Sequence, residues 1–173
     1  MYSDPILEQL AALYEEIDRA AVHLAHLHAD RLHCGPGCSS CCIDNITVFV
    51  VEASNIRKHN ADLLSKGIPH PAGACAFLDD RGNCRIYKHR PYVCRTQGLP
   101  IRWIEEREDG ETVEMRDICA VNEKGSPVEV LPAETCWTIG PFEERLSSLQ
   151  GLLGNGARTR IALRDLFRKT KKA

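Results

Sequence analysis

An α+β architecture is what this chain of 173 residues predicts: a small cysteine-cluster core with short β-hairpins, flanked by a long N-terminal helix and by C-terminal helices. Three observations carry that expectation. An apolar stripe of heptad character runs along the N-terminal segment. Two turn signals are each flanked by short apolar runs. Eight of the nine cysteines fall in the middle of the chain at short spacings.

The elements follow in order. Asp4 and Pro5 read as an N-cap and a first helical residue. Ile6, Leu10, Leu13, Ile17, Ala20, Leu24 and Leu27 then alternate at intervals of four and three, which places them on one helical face. This spacing predicts a helix from about residue 5 to about residue 32, stopped by Gly35-Pro36-Gly37. Such a stripe must be covered by other helices of the chain or by a second copy of it, so the protein is read as either a monomer or a homodimer through this helix. Ile46 to Val51 is a β-branched run and reads as a strand. Glu52 to about Ser65 reads as a helix, ended by Gly67 and Pro69. The segment Asp79-Asp80-Arg81-Gly82-Asn83 between Phe77-Leu78 and Cys84–Ile86 predicts a short hairpin. Asp109-Gly110 between residues 101–107 and 111–117 predicts a second, with Ile101 and Trp103 on one face and Val113 and Met115 on one face. Residues 120–132 read as loop. Two helices are expected to close the chain, near 140–153 and 157–169, with the basic cluster from Arg164 to Lys172 as a solvated end.

The chain fits one domain: an N-terminal helix over 1–33, a cysteine-cluster core over 34–120 and a C-terminal helical extension over 121–173. A formal net charge of −2 argues against a nucleic-acid partner. No segment has the n-region and h-region of a signal peptide, and none has the roughly 20 apolar residues of a membrane span. The expected location is therefore the cytoplasm, where disulfides are rare and clustered cysteines bind metal or do redox chemistry.

The cysteines are written Cys34-x3-Cys38-x2-Cys41-Cys42, then Cys75-x8-Cys84-x9-Cys94, then Cys119 and Cys136 singly. Thiolates at such spacings on glycine-bearing loops aim several strong soft bonds at one point, which is what zinc or iron requires. The pair Cys41-Cys42 has two readings. The neighbours serve different metals, or one ligates and the other packs. Three arrangements are open: two tetrahedral four-thiolate zinc sites, one four-iron four-sulfur cluster with four thiols left over, or a mixed iron site with His or carboxylate. Cys136, in Glu134-Thr135-Cys136-Trp137, reads as a buried unligated thiol.

The second cluster, from Cys75 to Arg95, makes the pattern specific. Cys34, Cys38, Cys41 and Cys42 together with Cys75 before Phe77-Leu78, Cys84-x-Ile86-Tyr87, Arg90-Pro91, Cys94-Arg95 and the later Cys119 resemble the YkgJ-like cysteine-cluster family, also called CxxCxxCC. The x3 of the first spacing departs from the x2 in that name. The resemblance covers roughly residues 34–120 and implies chelation of zinc or iron. A related cysteine-rich segment occurs in flagellin lysine methylases. The expected metal ligands are Cys34, Cys38, Cys41, Cys42, Cys75, Cys84, Cys94 and Cys119. The leading expectation is a metal-binding protein chelating zinc or iron. The alternatives are an iron–sulfur oxidoreductase or accessory subunit of a modification enzyme such as a protein lysine methylase, and a zinc-dependent interaction module.

The remaining polar residues read as structural. Arg85, Lys88, His89, Arg90 and Arg95 crowd the second cluster, and Arg90 and Arg95 are expected to hold carboxylates such as Asp79 or Glu52, or loop carbonyls. Tyr87 is expected to pack beside the cluster. His33 directly precedes Cys34 and is a candidate ligand, but His23, His26, His28 and His33 lack the spacing of a histidine metal site and read as a polar helix face. No phosphate loop, dinucleotide fingerprint, G-x-S-x-G or H-E-x-x-H occurs.

Overall fold

The computed structural model describes residues 4–154, 156 and 159–168. Helix α1 (Asp4–Leu27) carries the expected stripe except at its end, where Leu27 is exposed. Leu10, Leu13, Ile17 and Leu24 are buried, and so are Leu7, Tyr14 and Ala21 between them. The covered face is broader than a heptad seam because α1 packs on several elements of its own chain. Fully burying side chains such as Leu10 and Ile17 is worth about 1.5–3 kcal/mol each. The helix ends a turn short of the expected residue 32. His28 Nε2 donates to the Thr135 carbonyl at 2.7 Å. Arg31 donates to the carbonyls of Asn122 and Ser126 at 3.2 and 2.9 Å. These long-range bonds turn the chain out of the helix before Gly35 is reached.

Strand β1 (Thr47–Phe49) is shorter than the apolar run predicts, because helix α2 (Val50–His59) starts at Val50. Glu52 reaches back to accept the Phe49 N–H at 3.1 Å, and Gln150 Oε1 accepts the Val50 N–H at 2.6 Å. Both satisfy donors that a helix start leaves without partners. The single helix expected up to Ser65 is two. Asn60 leaves the helical region at φ −130°, its Nδ2 takes the Ile56 carbonyl at 2.9 Å, and helix α3 (Ala61–Lys66) begins after it. An asparagine side chain competes with the helix ladder in this way.

The first predicted hairpin is reduced to one bridge, Leu78 to Cys84. Its turn is held by Asp79, whose Oδ1 accepts the N–H groups of Arg81 and Asn83 at 2.9 and 2.8 Å. The one-turn helix α4 (Tyr92–Arg95) follows. The second hairpin is complete: β2 (Ile101–Glu106) pairs antiparallel with β3 (Thr112–Asp117), with Trp103 opposite Met115. The short parallel strand β4 (Trp137–Thr138) extends it to a sheet ordered β3-β2-β4. Helix α5 (Pro141–Gly151) then packs on α1.

The last element differs from the expected helix at 157–169. Within the described residues it is strand β5 (Arg160–Ala162), antiparallel to β1, followed by a 3-10 helix, Leu163–Phe167. The Leu163 N–H continues the ladder to the Ile46 carbonyl at 2.9 Å. That bond holds the chain extended where helix propensity alone would coil it. The basic residues from 169 to 172 lie outside the described residues.

Two hydrophobic cores result. One joins α1 and α5 to Tyr92, Leu99 and Trp137, with the Trp137 indole N–H donating to the Tyr92 hydroxyl at 2.8 Å. The other gathers Val48, Ala53, Ile56, Phe77, Ile86, Leu163 and Leu166 around Cys75. Each takes residues from the N-terminal half and from the C-terminal segment. No helix among the described residues is long and apolar enough to cross a membrane.

Candidate metal centre

All nine cysteines are unpaired thiols. Cys38 and Cys42 each close a tight turn, donating to the carbonyls of Gly35 and Ser39 at 3.0 and 2.9 Å. The turn around Gly82 lies directly on this loop. A Cβ on Gly82 would stand 3.1 Å from the Gly37 carbonyl oxygen, and the φ of +76° at Gly82 is one that glycine adopts freely. The two cysteine loops are thereby pressed together.

The interactions of the eight clustered thiols group them into two overlapping sets, with Cys41 acting on both. The first contains Cys34, Cys38, Cys41 and Cys119. Ser40 Oγ stands 3.9 Å from Cys38 Sγ and 3.8 Å from Cys119 Sγ. Asn122, fully buried, ties the set to the fold. Its Nδ2 donates to Cys34 Sγ at 3.2 Å and to the Gly98 carbonyl at 2.8 Å, while its Oδ1 accepts the His33 N–H at 2.8 Å. Burial raises the Cys34 thiol pKa, the Asn122 bond opposes this, and the neighbouring thiols of Cys38, Cys119 and Cys41 raise it further.

The second set contains Cys42, Cys75, Cys84 and Cys94. The Cys75 N–H donates to the Cys42 carbonyl at 2.8 Å. Cys84 sits on the Leu78 bridge and Cys94 on α4. Cys75 is part of the second hydrophobic core, and Cys42 and Cys84 pack against it. Burial pushes the Cys94 thiol up to about 12, aided by Cys75, Cys84 and Glu52. Burial also raises Cys84, helped by Cys75 and opposed by the Ile86 N–H, Arg90 and Arg85. Cys75 is raised by burial as well and opposed by the Phe77 N–H, Arg164 and Arg85.

Cys41 and Cys42 join the sets. The Cys42 thiol donates to Cys41 and holds it down to about 6, while Cys42 itself is pushed up. Cys41 acts on Cys34 and also on Cys94. Its neighbour Cys42 packs with Cys75 and Cys84.

Among the described residues, no three His, Cys, Asp or Glu side chains stand as a ready-made metal shell. The donor chemistry nevertheless fits a thiophilic cation. Neighbouring thiols oppose the ionisation of Cys34, Cys42, Cys84 and Cys94, and a dication would remove that opposition. Arg85 Nε and Arg90 Nε are buried without a hydrogen-bond partner, and both guanidinium groups act on Cys84. A thiolate centre supplies the negative charge that these donors lack.

Each of the eight cysteines expected as ligands interacts with another of the eight. Cys136 does not; it is buried near Arg116, Arg102 and Glu114, and its bond to Thr135 opposes the rise that burial causes. His33 is exposed. Of the arginines, Arg95 holds Asp18 at 2.6 Å and the Arg90 carbonyl at 3.0 Å and covers the Tyr14 ring. Its carboxylate partner is thus on α1, where the sequence pointed to Asp79 or Glu52. Tyr87 is exposed under the Arg90 guanidinium, 4.1 Å from ring centroid to Cζ. Arg102 is engaged by Glu114 at 2.7 Å.

Four residues of the site escape a reading by motif. Ser40, Gly98 and Asn122 surround the first set. Arg164 holds the second: it donates to Asp44 Oδ1 at 2.8 Å and to the carbonyls of His70 and Ala74 at 2.7 Å each. Arg164 is therefore not part of a solvated tail.

A family model described as "Putative zinc- or iron-chelating domain", CxxCxxCC, matches residues 33–120. No curated protein and no solved structure matches the chain.

Proposed function

The chain belongs to the CxxCxxCC family, and on that premise we propose that it holds zinc or iron through two four-thiolate sets, Cys34, Cys38, Cys41 and Cys119 in one and Cys42, Cys75, Cys84 and Cys94 in the other. The observation that supports this reading is that Cys34 interacts with Cys38, Cys41 and Cys119, whereas Cys42 and Cys84 pack on the core that holds Cys75, and Cys75 and Cys84 act on Cys94. The reading assigns the adjacent pair Cys41 and Cys42 to different metals. A single four-iron cluster would leave one whole set without a role. The metal would supply cross-links between loops that have little regular structure, and in small zinc-finger peptides such a site contributes about 10–16 kcal/mol to folding. Nine unpaired cysteines fit the reducing cytoplasm as the place of action. The family core over 34–120 and the flanking segments 1–33 and 121–173 act together as one domain in this reading.

Metal analysis and a visible absorption spectrum on one anaerobically purified sample test it. About two equivalents of zinc without a visible band fit paired four-thiolate sites. Iron with acid-labile sulfide and a broad brown absorption would move an iron–sulfur redox role to first place. Cys38→Ser and Cys84→Ser should each remove metal from one set and lower stability. A variant that stays fully loaded and equally stable sinks the assignment.

A further inference from the structure

A cavity of about 140 Å³ lies among α4, the start of α2, β2, β5 and α5, and no cysteine lines it. Its lining is apolar on Phe49, Val93, Ile101 and Ile139 and carries charges of both signs on Glu52, Glu143 and Arg160. Gln97, Ile139 and Arg160 are exposed, so the cavity is open to solvent at that rim. The two carboxylates meet at Tyr92. Glu52, 2% exposed, accepts the Tyr92 N–H at 2.7 Å, the Tyr14 hydroxyl at 2.9 Å and the Phe49 N–H at 3.1 Å. Glu143 accepts the Gly140 N–H at 2.7 Å and the Tyr92 hydroxyl. All five donors are neutral. Arg160 acts on Glu52 by charge, without a bond to it. Its guanidinium covers the Phe49 ring at 4.2 Å, and its Nη1 donates to the Thr47 carbonyl at 3.4 Å. A guanidinium has five N–H donors, so most of this one is free for an anion.

We propose that this cavity binds a small zwitterion of the α-amino acid type with an apolar side chain. The ligand ammonium faces Glu52 and Glu143, its carboxylate meets Arg160, and its side chain packs on Phe49, Val93, Ile101 and Ile139. Each part follows from a group on the lining. A buried carboxylate that has only neutral donors lacks the cation that would offset its desolvation; an ammonium group supplies it. A simple cation would be repelled by Arg160, whereas a zwitterion brings a carboxylate that the guanidinium fork can hold at two points. Size sets the rest. A cavity of about 150 Å³ holds benzene, so this one takes a ligand of about six to eight non-hydrogen atoms, the size of valine. Apolar walls with a few convergent polar groups are the ordinary make-up of such a site. Binding here involves no thiol and does not depend on the metal reading above.

The experiment is isothermal titration of the full chain, as purified, with L-valine, L-leucine and L-methionine, and with isobutylamine and isobutyrate, which each keep one charged group. At least one of the amino acids should bind with a Kd below about 1 mM, and the amine and the acid should bind at least about tenfold more weakly. Glu143→Gln keeps the bond to the Gly140 N–H, because glutamine serves equally well at that position of a helix start. Arg160→Gln changes an exposed side chain. Each variant should weaken the amino acid by roughly tenfold or more. Glu143→Gln should leave isobutyrate unchanged, and Arg160→Gln should not weaken isobutylamine. Thermal melts of both variants without ligand should match the parent, which separates lost binding from lost folding. Three results overturn the proposal: no heat with any of the three amino acids, isobutylamine binding as tightly as they do, or amino acid affinity that neither variant alters. The second would leave a site for simple cations, and the third would move the binding elsewhere on the chain.

Discussion

Gly98 tolerates no side chain. Its φ is +94°, and a Cβ there would stand 2.7 Å from Cys34 Sγ and 3.2 Å from Asn122 Nδ2. Gly98→Ala should therefore cost about 1–3 kcal/mol in a denaturant titration, and it should also displace Cys34. Metal content separates the two effects: the loaded variant should lose metal from the first set, whereas a purely conformational penalty would leave the content intact. The clustering of the eight thiols could be read from spacing because it is local to the sequence. Gly98 and Asn122 could not. Their roles are set by an approach between residues 34 and 98 and between 33 and 122, and no local pattern records such distances. Arg164 was hidden differently, since a basic residue near a basic run looks solvated until its carbonyl partners are known.

The hairpin of β2 and β3 was readable because an Asp-Gly turn and flanking alternation are local signals. The break at Asn60 and the strand β5 were not, because long-range bonds decide both. The break has a consequence for pH. Just before it, His59 at the end of α2 stacks on His89 of the 3-10 turn before α4, with ring centroids 4.5 Å apart. Asn60 Nδ2 faces His89 Nδ1 at 3.4 Å. Burial first, then the charges of His59, Lys88 and Arg95, hold the His89 pKa below the ordinary 6.5. The folded imidazole binds a proton less readily than the unfolded one. Its contribution to stability is thus fully present above 6.5 and is lost as pH falls through the depressed folded value. Thermal melts of the loaded protein should show this loss, and His89→Gln should flatten the slope in that window. An unchanged slope would assign the acid sensitivity to the thiolates.

Arg164 connects distant parts of the chain. It brings the C-terminal 3-10 helix to Asp44, His70 and Ala74, the segments on either side of Cys42 and Cys75. Arg164→Ala should lower unfolding free energy by about 2 kcal/mol, read by urea titration. It should also speed zinc loss from the second set, although the residue lies outside the family match at 33–120. Stability loss without faster zinc loss would show that the C-terminal segment supports the fold but not that set.

The pairing of β1 with β5 joins residues 47–49 to residues 160–162. A chain emerging from the ribosome completes the first set's cysteines at residue 119, but it cannot close the core around the second set until β5 and Leu163 have been made. That core stays open while about forty further residues are synthesised, which at 5–20 residues per second is a delay of a few seconds. The surroundings of Cys75 are therefore among the last parts of the fold to close.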